Sequence, residues 1–291
     1  MNEKETDSGW DVKRLSDLKQ LKKKAAQIRM DLLEMIYRAG GGHAGGSLSS
    51  VDILVTLYYS IMKLDPKHPE RADRDRFILS KGHSVEGYYA ILSDLGFFPR
   101  EERTSYRKFR SGLIGHPSNH LPSIDVNTGS LGHGLSIGAG MALAGKMDQK
   151  DYHVYVLMGD GEQAEGSVWE AAMAASHYQL DHLTGIIDRN GLQISGDTEQ
   201  VMALESLKGK WTSFGWEVVE VADGNNMEEL LTAFRRILSG DHRPHLVIAN
   251  TIKGKGVSFM ENQPQWHHKV PTESEMKQVR KELQAQIREV R

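Results

Sequence analysis

From Leu15 onward, Leu18, Leu21, Ala25, Ile28, Leu32 and Met35 recur every three or four residues, the period of a helix that buries one face. Gly40, Gly41 and Gly42 stop that helix. The run GGGHAGG at 40–46 reads as a flexible loop between helices, with His43 on it, and Ser49 and Asp52 have the spacing of a capping box opening a second helix. Phe77–Ser80 is a short apolar run ahead of Lys81-Gly82-His83, and Tyr88, Ala90, Ile91 and Leu92 suggest another helix behind it. Leu135–Met147, rich in Gly and Ala, reads as a buried helix able to approach another backbone closely.

Tyr152–Met158 is β-branched and apolar and predicts a central strand ending at Gly159-Asp160-Gly161-Glu162. A helix from about Ser167 to Tyr178 follows, then a strand over Leu183–Asp188 that ends at Arg189-Asn190-Gly191. Trp216–Val221, a helix over Met227–Leu238 and a strand over Leu246–Thr251 continue the alternation; Met276, Val279, Leu283 and Ile287 space a last helix. Strand and helix in alternation favour an α/β fold, a parallel sheet with helices on both faces. No repeat, low-complexity tract or linker breaks the chain, so one domain with an N-terminal helical layer is expected over 1–291. Residues 1–14 are expected to be a flexible start and 271–291 a C-terminal helix.

Composition narrows the classes. With 36 Lys plus Arg against 39 Asp plus Glu the net charge is −3, which argues against a general nucleic-acid surface; Lys22–Lys24 reads as a solvated helix face. The longest apolar runs, Val154–Met158 and Leu246–Ala249, fall far short of the roughly 20 residues that cross a bilayer. The polar, acidic start from Met1 to Asp11 has no leader pattern, and a cytoplasmic location is expected. The absence of cysteine removes disulfides, thiolate nucleophiles and Cys-ligated zinc, so any metal takes O or N ligands.

In an open parallel sheet, ligands bind beyond the carboxyl ends of the strands. Asp160 and Asn190 both fall there, 30 residues apart, room for one helix and one strand between them. A carboxylate, an amide oxygen and the Leu192 carbonyl are hard ligands suited to Mg²⁺, which completes its shell with water and phosphate oxygens. Gly159 and Gly161 let backbone approach a phosphate, and the helix behind offers its N-terminus. The plain alternative for Asp-Gly after a strand is a turn. Carbonyl chemistry near neutral pH would call on imidazoles. Thirteen histidines are present, and His68, His120, His133, His153, His177, His182, His242 and His245 read as surface or satisfied core residues. Ser167 and Glu170 have capping-box spacing, and Trp169, Trp211 and Trp216 read as packing residues.

GDG followed about 30 residues later by the Asn of DRNG resembles the thiamine-diphosphate motif. The blocks GGGHAGGSLSSVDIL, RDRFILSKGHS, GHPSNHLPSIDVNTGSLGHGLSIGAGMALA, GDGEQAEGSVWEAAMAA, IIDRNGLQISG and TIKGKGVSFMENQPQWHHK, in order from about residue 40 to 270, make the chain resemble the N-terminal, diphosphate-binding half of transketolase. The resemblance implies that Asp160, Asn190 and the Leu192 carbonyl hold Mg²⁺. It implies that Gly161, His83 and His267 reach the diphosphate, with Glu162 also placed at the cofactor, and that Gly129 and Leu131 line the thiamine. It makes His116 the group that bonds the donor's hydroxyl and assists proton transfer, and places His43 where substrate enters. Glu165 and Glu170 match carboxylates in the network linking paired active sites. His268 sits where the family usually has glycine, so of the adjacent pair His267 is the one expected to face the cofactor. Lys253 and Lys255 depart from the usual pattern and either neutralise the diphosphate or form a solvated loop.

A complete transketolase is more than twice this length, and the sequence has no match to the half that holds the aminopyrimidine ring, promotes carbanion formation and grips a sugar phosphate. The resemblance therefore implies the N-terminal subunit of a two-polypeptide transketolase in an α2β2 assembly. It would use thiamine diphosphate and Mg²⁺ to transfer a two-carbon ketol unit between sugars or sugar phosphates. The competing expectations are a deoxyxylulose-phosphate-synthase-like or oxo-acid-dehydrogenase reaction on the same scaffold, and a non-catalytic cofactor-binding half. A dinucleotide fold is rejected, because no G-x-G-x-x-G opens a helix after a strand.

Overall fold

The computed structural model describes residues 14–239 and 242–289. Apart from Arg14, the stretch expected to be flexible lies outside them. Helix α1 (Leu18–Ala39) starts on the Asp17 side chain, which accepts from the Lys19 N–H, and ends on Gly40 at φ +64°, a left-handed cap that glycine adopts without penalty. Two short helices follow, α2 (Ala44–Ser49) and α3 (Val51–Thr56), the latter running into a π turn over Leu57–Ile61. Then come β1 (Arg76–Leu79), α4 (Val85–Leu95), α5 (His133–Met147), β2 (Val154–Gly159), α6 (Gly166–His177) and β3 (Leu183–Arg189). A hairpin, β4 (Leu192–Gln193) with β5 (Gly196–Asp197), leads through α7 (Thr198–Val201) and α8 (Leu207–Ser213) to β6 (Glu217–Val221). The chain continues with α9 (Met227–Leu238), β7 (His245–Asn250) and α10 (Glu273–Glu289).

The main sheet is parallel throughout, in the order β1-β2-β3-β7-β6. Its strands are continuous apolar runs because both faces are covered. Along β2, Tyr155 and Leu157 enter one core with residues of α1, α3, α4, α9 and α10. Val154, Val156 and Met158 enter a second core with α5, α6, Trp211 and Trp216. This is the two-sided α/β architecture expected, and all five strands of the sheet fall on apolar runs singled out in the sequence. Trp211 and Trp216 are buried packing residues. Among the described residues no helix is long and apolar enough to cross a membrane.

Three local expectations need correction. Ala44–Ser49, expected as loop, is helical and fully buried. The cost of Gly45 and Gly46 in a helix, roughly 1 kcal/mol each relative to alanine, is outweighed by packing that admits no side chain. A Cβ on Gly45 would stand 2.9 Å from the Trp266 carbonyl oxygen. Ser49 and Asp52 form no capping box: the Ser49 hydroxyl donates to the Asp188 carboxylate at 2.6 Å, and Asp52 pairs with Arg29. Ser167 likewise does not cap α6, donating instead to the Gly132 carbonyl at 3.0 Å.

Helix α5 is only half buried. Gly134, Gly138 and Gly145 face inward, and a Cβ on Gly138 would lie 2.5 Å from Val156, so the close approach to the sheet is real. The opposite stripe of His133, Ser136, Gly140, Ala144 and Met147 is exposed.

Candidate active site

The carboxyl ends of β1, β2 and β3 and the segment after β7 open onto a cleft of about 410 Å³. Every predicted site residue but Glu165 lines it: His43, His83, His116, Gly129, Leu131, Asp160, Gly161, Glu162, Asn190, Leu192 and His267. Parallel strands deliver Asp160 and Asn190 to one rim, since Gly159 is in register with Asp188 across β2 and β3.

Each histidine is placed by its own turn. His43 precedes α2, and its backbone N–H donates to Glu86 Oε1 at 2.9 Å. The same buried carboxylate accepts from Ser47 and Tyr106, tying α2 to α4. His83 lies in the 3₁₀ turn Gly82–Ser84 after β1, and His267 in the turn Pro264–His267. His116 packs on Gly129, where a Cβ would come within 3.2 Å of its ring. The ring centroid of His43 lies 5.1 Å from that of His83 and 5.5 Å from that of His267, and those of His83 and His267 are 5.3 Å apart.

Burial, followed by neighbouring positive groups, lowers His43 to a pKa of about 4, His83 to about 2 and His267 to about 3. At neutral pH these three act as neutral donors and acceptors. Lys253 is lowered to about 8, by burial first and Lys81 second.

The carboxylate rim is equally constrained. Asp160 accepts from the Gly161 and Gly191 N–H groups and from the Thr198 hydroxyl, with Arg189 at 3.5 Å. Burial and then the nearby Asp188 raise its carboxyl above the ordinary range, an environment that an added cation would relieve. Asn190 accepts from the Leu192 N–H at 3.2 Å through Oδ1. Beneath them the wholly buried Asp188 pairs with Lys81 and accepts from Ser49 and Thr251. Burial pushes Asp188 up, but Lys81 and these hydrogen bonds bring it below the carboxylate norm.

Some residues act differently from expectation. Both Glu162 oxygens are taken by protein, one by Ser80 and the Gly132 N–H, the other by the Gly159 N–H at 3.1 Å, so this side chain braces the cleft floor. Glu165 stands outside the cleft: it is exposed at the start of α6, and its side chain does not cap the helix. Glu170 is exposed on α6. His267 lines the cleft, while His268 is exposed, yet its ring lies 4.6 Å from that of His43.

Lys253 and Lys255 separate. Lys253 is 3% exposed and donates to the Leu192 carbonyl at 3.1 Å, whereas Lys255 turns toward Glu261 at 3.8 Å. The sequence motifs assign no role to Lys81, Gly46, Gln193, Ile194 or Ser195, which also line the cleft. For Lys81 the signal in the sequence is a cation at a strand's carboxyl end beside Gly-His.

A family model described as "Transketolase, thiamine diphosphate binding domain" matches residues 20–289. The chain belongs to this family. Within it, the chain is 52% identical to one of the two-polypeptide relatives, an apulose-4-phosphate transketolase subunit of Phocaeicola vulgatus, over 89% of this chain and 92% of that one. It is 42% identical to 6-deoxy-6-sulfo-D-fructose transketolase subunit SqwG of a Clostridium strain, over 91% and 96% respectively. Against human transketolase the identity is 37% over 93% of this chain but only 43% of the human protein. The fold superposes on Campylobacter jejuni transketolase with a TM-score of 0.85 at 29% identity, covering 93% of this chain and 45% of that one. This transketolase-family chain thus spans nearly all of the relatives named as subunits and less than half of the single-chain enzymes.

Proposed function

We propose that the chain is the diphosphate-binding subunit of a two-polypeptide transketolase that moves a two-carbon ketol unit from a ketose donor to an aldose acceptor. The observation that carries this reading is Lys253: a buried ammonium at the cleft floor whose bonds go to a carbonyl and an imidazole, with no carboxylate pairing it among the described residues. Such a charge calls for an anion in the cleft. The facing carboxylate, amide and carbonyl oxygens of Asp160, Asn190 and Leu192 are a hard donor set that suits Mg²⁺ rather than a soft metal. A magnesium diphosphate satisfies both requirements, so the residues present fit thiamine diphosphate.

Bound, that cofactor supplies the nucleophilic carbon that accepts and releases the ketol unit. The residues of this chain bind and orient. Asp160, Asn190 and the Leu192 carbonyl would hold the metal, with Lys253, His83 and His267 on the diphosphate. Gly129 and Leu131 would flank the thiamine. His116 and His43 would move protons at the substrate's hydroxyl and carbonyl oxygens, and their neutral neighbours leave them able to accept.

The partner is inferred from the relatives' names, which designate subunits, and from the unfilled share of the single-chain enzymes. The exposed stripe of α5, with Met147 76% exposed, and Met173 and Tyr178 at 54% and 50% on α6 and its end, supports a paired assembly in which Glu165 and Glu170 meet a second copy. A 2 + 2 complex follows. Because the two relatives named as subunits carry the names of a sugar phosphate and a sulfo-sugar, we infer a ketose with an anionic tail as donor.

Co-purifying the chain with its partner and assaying apulose-4-phosphate, 6-deoxy-6-sulfo-fructose and pyruvate as donors tests the reading. Ketol transfer from a charged ketose is expected. Turnover of pyruvate alone would move the reaction to another class on the same scaffold.

A further inference from the structure

The geometry points to Lys253 as a positioning residue that fixes His267 as the tautomer carrying its proton on Nε2. Lys253 Nζ stands 3.2 Å from His267 Nδ1 and 3.1 Å from the Leu192 carbonyl oxygen. An ammonium has three N–H donors and no acceptor, so the ring nitrogen it meets must be the one without a proton. A neutral imidazole then carries its single proton on the opposite nitrogen. The Leu192 carbonyl, which can only accept, holds the ammonium in place from the other side.

The surroundings leave the assignment to Lys253. Among the described residues, no other side chain or carbonyl bonds the His267 ring; His43 and His83 meet it through ring faces and edges at centroid distances of 5.5 and 5.3 Å. Lys253 is itself buried, and the backbone on either side is tied down: the Gly254 N–H donates to the Gly45 carbonyl and the Asn262 N–H to the Lys253 carbonyl. The lysine stem is also packed against Gly45, where a Cβ would meet Cγ at 3.2 Å and Cε at 3.3 Å. A fixed tautomer gives the cleft an N–H donor suited to an oxyanion. Only that use of the proton rests on the proposed function; the tautomer itself does not.

The test is ¹⁵N–¹H correlation of the imidazoles at neutral pH in the chain with its partner and without cofactor, His267 being assigned by its loss in His267→Gln. In the wild type, His267 Nδ1 should show the shift of an unprotonated nitrogen and Nε2 that of a protonated one. Lys253→Met should convert His267 to a mixture of tautomers, and Lys253→Arg, which keeps a donor, should restore the Nε2–H form. A wild-type Nδ1–H, or an Nε2–H form unchanged in Lys253→Met, would overturn the assignment. Should Lys253→Met fail to fold, the wild-type spectrum alone still decides which nitrogen bears the proton. Calorimetric titration of the same samples with thiamine diphosphate and Mg²⁺ reads the proposed function separately: absent binding with the Nε2–H form present would sink the function and leave the tautomer standing.

Discussion

The two ends of the sheet both gather histidines and acids, and only one of them is built to hold a ligand. At the amino end a cleft of about 330 Å³ is lined by Arg14, Lys63, Asp75, His153, His182 and His245, among others. There the fold spends its polar groups on itself. His153 Nε2 meets the Thr184 hydroxyl at 2.7 Å, His182 Nδ1 meets the Tyr152 carbonyl at 3.3 Å, and His245 lies 3.6 Å from Glu217. Asp75 accepts from the His153 and Lys63 backbone N–H groups. At the carboxyl end, by contrast, His43, His83 and His267 face one another, an ammonium has no carboxylate among the described residues, and Asp160 is pushed toward protonation by its surroundings. Buried histidine is therefore a poor marker of function by itself. Polar groups that the fold leaves without a complement are the better one.

The largest expected effect separates the two ends at once. Asp160→Ala should abolish Mg²⁺-dependent thiamine diphosphate binding to the assembled enzyme, read by calorimetry; retained affinity would remove the metal from this rim. Next, His116→Ala should leave binding intact and lower kcat by about 10² to 10⁴, the range of general acid–base contributions. Equal loss of cofactor affinity would show that the ring holds the cofactor rather than moving a proton.

The amino end should respond in the opposite sense. Asp75→Ala leaves two buried N–H groups without an acceptor and should cost about 2–3 kcal/mol in denaturant unfolding while cofactor affinity stays unchanged. A weakened affinity would mean that the two ends of the sheet are energetically coupled rather than independent.

The smallest effect is the pH dependence of the cofactor-free protein. The folded pKa of His43, about 4, lies below its unfolded value near 6.5, so the unfolded chain binds more protons between them. The neutral ring's stability is fully present above pH 6.5 and lost as the pH falls through about 4. The difference in Tm between wild type and His43→Gln should shrink or reverse over that window; a pH-independent difference would deny the depressed pKa.

Much of the contrast between the two ends is legible in the chain, and what escapes has physical reasons. The strands stand out because both faces of a parallel sheet are buried, so Val154–Met158 and Leu183–Ile187 read as unbroken apolar runs. Asp160 and Asn190 follow from their places after consecutive strands. Ser49 misleads because its hydroxyl serves Asp188, a residue 139 positions away, and no local pattern carries that information. Ala44–Ser49 resembles a loop because glycine disfavours helix locally, while the deciding contact is a backbone approach from Trp266. Lys253 and Lys255 are indistinguishable by spacing, and only the turn that buries one and leaves the other half-buried beside Glu261 sorts them. Glu162 shares a motif with Asp160 but points its carboxylate into the scaffold, where Ser80 and two backbone N–H groups take it up.

The most direct test of the magnesium diphosphate site is a crystal structure of this chain with its partner, thiamine diphosphate and Mg²⁺. The expected result is a metal bonded to Asp160, Asn190 and the Leu192 carbonyl, with the diphosphate beside Lys253, His83 and His267. A diphosphate lodged at the amino end of the sheet, or a metal that leaves Asp160 untouched, would contradict it.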